Sequence, residues 1–230
     1  MRTIGLIGGM SWESSKVYYE YLNRLVQEEL GGSHSAKIIM SSVDFSEIEK
    51  YSFDGDWNAI GKLMSTHAAK LEKAGADMIV LCTNTIHLVS DAIKSSITVP
   101  FLHIAEATGK AIEKQGLQKI ALLGTQFTME KDFYARILKE KYGLEVLIPE
   151  LEDRIFLQDI IYNELVKGKF TLEAKEKCLE IISKLQSKGV EGVILGCTEL
   201  PILIPDQEVV IPTFNTTLIH SKMALDFALN

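Results

Sequence analysis

Residues 73–85, KAGADMIVLCTNT, decide how this chain folds, because residues 187–199, SKGVEGVILGCTE, repeat their pattern at an offset of 114. Each segment runs from a polar, glycine-containing lead into a short, unbroken apolar run and then stops at hydroxyl, thiol or amide side chains. Such a run is the pattern of a strand buried on both faces of a parallel sheet. Working outward, TIGLIGG (3–9) matches KIALLGT (119–125) at an offset of 116. TVPFLH (98–103) matches VIPTFN (210–215) at an offset of 112. Any α/β chain offers look-alike strands. Three matches in the same order, with offsets drifting by two residues each time, point instead to an internal duplication.

The intervening segments have helical period. SSKVYYEYLNRLVQEEL (14–30) carries apolar residues at three-to-four spacing and stops at Gly31-Gly32, and DWNAIGKLMSTHAAKLEKAG (56–75) ends at Gly75. KIIMSSV (37–43) reads as a further strand. The expected fold class is α/β, with two pseudo-symmetric lobes, each a mostly parallel sheet flanked by helices, and an active site between them. The first lobe takes residues 1–100 plus 215–230, the second 101–214, with the final helix TTLIHSKMALDFAL returning to the first. The polar run EIEKYSFDG (47–55) suits a loop, either one over the cleft or an ordinary surface loop.

Composition narrows the function. The 230 residues include 24 Lys and Arg against 31 Asp and Glu, a net charge of −7 that argues against a nucleic-acid or acidic-membrane surface. No apolar run approaches the roughly 20 residues of a membrane span. MRTIGLIGG reads as a first strand rather than a signal peptide. Three cysteines, Cys82, Cys178 and Cys197, form no paired spacing, so a reduced, cytoplasmic setting is expected.

The repeat aligns Thr83 with Cys197, Asn84 with Thr198 and Thr85 with Glu199, each set at a strand end. Two such ends related by a pseudo-twofold would present a hydroxyl and a thiol to opposite sides of one bound molecule. That is what stereoinversion at a carbon needs: one group removes a proton from one face while the other delivers one to the opposite face. Other readings compete at both positions. Cys197 could be a small buried hydrophobe, although the polar residues around it favour exposure; Thr83 could be a helix cap. Cys82 should point away from Thr83 by strand alternation, but an earlier strand end would let it reach the site. Cys178 lies on a helical apolar stripe and reads as core. His87 orients the turn or tunes a nearby proton, whereas His103 and His220 read as structural.

Four strand ends, at Gly8-Gly9-Met10-Ser11, Thr83-Asn84-Thr85, Gly124-Thr125 and Cys197-Thr198-Glu199, precede expected helix starts, whose free N–H groups suit carboxylates and would favour a thiolate. None of the four arginines lies among them. Dinucleotide, nucleotide-phosphate and metal-ligand spacings are missing.

GLIGGMSWESS (5–15), LCTNTIH (81–87), ALLGT (121–125) followed by Thr128, and GCTEL (196–200) together resemble the aspartate/glutamate racemase family. The resemblance implies an isomerase of aspartate or glutamate that uses neither pyridoxal phosphate nor metal, works as a homodimer and takes a small amino acid as its only partner. It implies Thr83 and Cys197 as the acid–base pair, with Met10, Ser11, Asn84, Thr85, Thr125, Thr198 and Glu199 contacting substrate. A family lysine falls near Lys167 or Lys169. Most of the family has cysteine where Thr83 stands; the branch with threonine looks selective for the L-isomer, with a broader amino-acid range as the alternative. Maleate isomerase, hydantoin racemase and arylmalonate decarboxylase share the scaffold, and a small-acid binding protein is the non-enzyme alternative.

Overall fold

A computed structural model describes residues 1–230 and divides them into two compact units, Met1–Ile104 with His220–Asn230, and Ala105–Ile219. The elements in chain order are β1 (Ile4–Gly8), α1 (Trp12–Leu30), β2 (Ile38–Ser42), α2 (Phe45–Asp54), α3 (Trp57–Lys73), β3 (Met78–Leu81), α4 (Ser90–Lys94) and β4 (Phe101–Leu102). They continue with α5 (Ile104–Glu113), β5 (Lys119–Gly124), α6 (Gln126–Glu130), α7 (Asp132–Tyr142), β6 (Glu145–Leu147), α8 (Leu151–Asn163) and α9 (Leu172–Ser187). The last are β7 (Gly192–Gly196), α10 (Leu200–Leu203), β8 (Thr213–Asn215) and α11 (Thr216–Leu229).

Each unit holds a four-stranded sheet, in the orders β2-β1-β3-β4 and β6-β5-β7-β8, and every pairing is parallel. The registers repeat as well as the order. Ile7 pairs with Leu81 in the first sheet, and their counterparts Leu123 and Leu195 pair in the second. Ile79 pairs with Phe101, and their counterparts Val193 and Phe101's equivalent Thr213 pair likewise. The three sequence offsets are therefore register-preserving, which chance similarity between apolar strands would not give.

The apolar runs IGLIG, MIVL and GVILG are buried along their whole length, as central strands of a parallel sheet must be. Side chains alternate to the two faces. In the first unit, Ile7, Ile79 and Leu81 pack with Met64 and Ala68 of α3, while Ile4, Leu6, Met78 and Val80 pack with Tyr18 and Leu22 of α1 and Ala224 of α11. Ser11 caps α1 by accepting from the Ser14 amide, and Gly31 ends it.

The segment 47–55 is not a loop. Asp44 accepts from the Ser46 amide at the start of α2, and Gly55, in the left-handed conformation, closes it. Only Ile48 and Ser52, one turn apart, are buried, so a polar composition conceals a helix with a single narrow inner face. No helix in the chain is long and apolar enough to cross a membrane.

Candidate functional site

Within each unit the neighbouring central strands bring two turns side by side at their carboxyl ends, the usual place for ligands in open parallel sheets. The first unit juxtaposes the turn after β1, with Met10 and Ser11, and the turn after β3, with Thr83, Asn84 and Thr85. The second juxtaposes Gly124-Thr125 after β5 and Cys197-Thr198-Glu199 after β7.

The second unit's turn is built around an acid. Gly124 and Gly196 are register partners, and a Cβ on Gly196 would lie 2.7 Å from the Leu123 carbonyl oxygen, so only glycine lets the strands end this close together. The chain then turns so that the Cys197 thiol donates to Glu199 Oε2 at 3.0 Å, and the Thr198 hydroxyl donates to the same oxygen at 2.6 Å. Expected exposure of the thiol is corrected here: Cys197 is only 9% exposed and packs with Leu195, Leu200 and Leu203.

Burial pushes the Cys197 thiol well above its ordinary range, and the Glu199 charge and hydrogen bond push it further. The backbone amides of Thr198 and Glu199 pull in the opposite direction and lose. The expectation that a helix start would favour a thiolate is therefore overturned. The helix that follows, α10, has only 4 residues and cannot offset burial beside a carboxylate. Thr125 caps α6, accepting from the Thr128 amide at 3.2 Å, with its hydroxyl 3.1 Å from that of the fully buried Thr128.

The first unit's turn is held by its backbone instead. β3 ends at Leu81, one residue earlier than the sequence suggests, and the Cys82 amide still donates to the Ile7 carbonyl. Alternation persists past the ladder: Cys82 is fully buried among Leu6, Tyr18 and Leu22, and burial alone drives its thiol far upward. It is a core residue. Thr83 is half-buried and does not cap the 3₁₀ segment Thr85–Val89, whose capping position is Asn84.

The Thr83 carbonyl accepts from His87 Nδ1 at 2.8 Å, and His87 Nε2 accepts from the Ile104 amide at 3.2 Å. Burial, then the neighbouring His103 and His220, hold the His87 imidazole well below its usual range. Asn84 and Thr85 are buried. In the adjoining turn the Met10 side chain packs into the core with Ile7 and Ile48.

Other candidates lie elsewhere. Cys178 is core on α9, its thiol pushed up to about 12 by burial. His220 donates from Nε2 to the Leu102 carbonyl and accepts the Tyr18 hydroxyl at Nδ1, and burial lowers it to about 4. Lys167 and Lys169 are exposed in the turn after α8. All four arginines are engaged away from these turns: Arg2 on Phe227, Arg24 with Glu20, Arg136 with Asp132 and Arg154 with Glu130.

Two duplicated parallel α/β units carrying a thiol–carboxylate turn define a protein of a known kind. The Asp/Glu/hydantoin racemase family matches residues 7–224, and the chain belongs to that family. It is 25% identical over 227 residues to the broad specificity amino-acid racemase RacX of Bacillus subtilis (strain 168), covering 95% of each chain. Among solved structures it resembles a candidate Asp/Glu racemase from Yersinia pestis, with 48% identity, full coverage of both chains and a TM-score of 0.94. It also resembles PH1733, an aspartate racemase homologue from Pyrococcus horikoshii OT3, at 36% identity, full coverage and a TM-score of 0.87. The fold is that of the family's racemases, which are isomerases.

Proposed function

We propose that the protein racemises aspartate or glutamate by proton transfer at Cα, with Cys197 and Thr83 as the two proton-handling groups and a preference for the L-isomer. The observation that carries this reading is the Cys197–Glu199 hydrogen bond. A thiol held above its ordinary range is little ionised at neutral pH, but it is a stronger base once its proton has moved to the carboxylate. In the L-to-D direction the thiol proton passes to Glu199 and the thiolate takes the α-proton, leaving a carbanion. The Thr83 hydroxyl delivers a proton to the opposite face, the resulting alkoxide recovers one from solvent, which its half-exposed position permits, and Glu199 releases to solvent the proton it took from the thiol, which restores the starting state.

The substrate carboxylates would be met by the backbone of Met10, by Ser11, Asn84, Thr85, Thr125 and Thr198, since no arginine lies in these turns. Pyridoxal phosphate and metal have no part in this scheme. The setting proposed is the cytoplasm and the working form a homodimer. The similarity to RacX favours a second reading, a broader amino-acid range.

The test is chiral product analysis of single enantiomers of aspartate, glutamate and a panel of neutral amino acids, with chelator present and no pyridoxal phosphate added. The expected result is turnover of acidic substrates, fastest from the L-isomer, and a loss of about a thousandfold in Cys197→Ser with folding retained. No racemisation of any amino acid, or full activity in Cys197→Ser, would sink the reading.

A further inference from the structure

We propose that His87 is a positioning residue for Thr83, acting as a neutral imidazole with its proton fixed on Nδ1; this rests on the racemase reading above. The tautomer follows from the two partners. A backbone carbonyl only accepts, so the 2.8 Å contact to the Thr83 oxygen requires a proton on Nδ1. A backbone amide only donates, so the 3.2 Å contact from Ile104 requires a lone pair on Nε2. Neither the other tautomer nor the imidazolium satisfies both.

The ring is also held sideways. Its centroid lies 4.6 Å from that of His103, 5.5 Å from Phe101 and 5.7 Å from His220, and it has no solvent exposure. His87 thus ties the turn after β3 to the first residue of α5, which follows β4. His87 and Ile104 are 17 positions apart, too long a stretch of chain to hold the turn by itself.

The second unit shows what this strap is for. There Thr216, first residue of α11, donates to the Leu195 carbonyl at 3.0 Å, tying the helix after β8 to the end of β7. Pro201 stands where a counterpart of His87 would fall, and Cys197 is held through its side chain by Glu199. Thr83 has no such acid beside it in sequence. Its carbonyl oxygen is the point at which it is gripped, three bonds and one rotatable torsion from the Cβ that carries the hydroxyl. Fixing that carbonyl fixes the backbone from which the hydroxyl projects, the preorganisation a proton donor needs.

The discriminating variants are His87→Asn and His87→Gln. An Asn amide reaches the position of Nδ1 and keeps a donor for Thr83, whereas a Gln amide reaches toward Nε2 and the Ile104 amide while abandoning Thr83. With similar thermal stability, His87→Asn is expected to keep kcat within about threefold and His87→Gln to lose about tenfold in kcat with little change in KM. If the two variants lose activity equally, or in proportion to lost stability, His87 is merely structural and the proposal is wrong.

A second measurement needs no turnover. Nitrogen NMR of ring-labelled wild-type protein should show a proton on Nδ1, a bare Nε2 and no titration of His87 between pH 5 and 8. A proton on Nε2, or titration in that range, overturns the proposal while leaving the racemase reading intact. Absence of racemisation in the wild type would instead sink that reading alone.

Discussion

The turn after β3 and the turn after β7 occupy the same register position in two copies of one topology, yet they are held in opposite ways. Cys197 is buried and held by its side chain, its thiol donating to the Glu199 carboxylate that also accepts from Thr198. Thr83 is half-buried and held by its main chain, its carbonyl taken by His87. Duplication supplied equivalent backbones, and specialisation followed in what each turn recruits. In the proposed scheme a basic thiolate needs an acceptor for its proton, and the carboxylate of the second turn would supply it. In the same scheme a hydroxyl donor needs only to be aimed, and the neutral His87 strap of the first turn would do that.

Among changes to what holds each turn, the largest effect should come from breaking the acid side of this contrast. Glu199→Gln keeps the shape but removes the charge and the full acceptor strength of the carboxylate. Turnover should fall about a hundredfold, in the range of a lost general base. The Cys197 thiol should move down, because the Glu199 charge and hydrogen bond are among the groups that raise it. Thiolate ultraviolet absorbance followed against pH would detect this. An unchanged thiol titration would show that burial alone sets its basicity.

Erasing the contrast should have a smaller effect. Thr83→Cys gives both turns a thiol and should bring the initial rates from the L- and D-isomers within about threefold of each other, while Thr83→Ala should widen the gap about tenfold. Deuterium wash-in from each enantiomer in D₂O reads both. Equal wash-in from the two isomers in the wild type would remove the asymmetry on which the pairing rests.

Much of this was legible in the sequence, and where it failed the reasons are physical. Continuous apolar runs such as MIVL and GVILG give parallel strands directly, and the 114-residue offset marks their duplication without coordinates. The α2 helix was hidden because two buried residues, Ile48 and Ser52, make too thin an apolar stripe to register as a period. The burial of Cys197 was hidden because the residues around it in sequence are polar, while those that cover it, Leu195, Leu200 and Leu203, reach it through the turn. His87 could be suspected from its place four residues after Thr83. Its second partner, Ile104, is set by where α5 begins, which no local pattern announces.

The smallest expected effect separates the units by acid. All five histidines lie in the first unit, and two of them, His87 and His220, are buried in the neutral form, His220 at about 4. Their folded values lie below the ordinary value of 6.5, so the unfolded chain binds more protons in between. The stability they confer is complete above pH 6.5 and drains away as pH falls toward 4. Each contributes a slope of at most about 1.4 kcal/mol per pH unit. The second unit has no histidine, and its exposed carboxylates with lowered values, Glu150, Glu180 and Glu191, begin to lose their contribution only as pH falls to 4.5 and below, so it should change less between 6.5 and 4.5. Amide hydrogen exchange compared between β3 and β7 at matched pH would cancel the intrinsic pH dependence, and the ratio of protection should shift against β3 as pH falls from 6.5 to 4.5. Parallel loss in both strands would mean that the two units open together, and the histidines' effect would then belong to the whole chain rather than to one half.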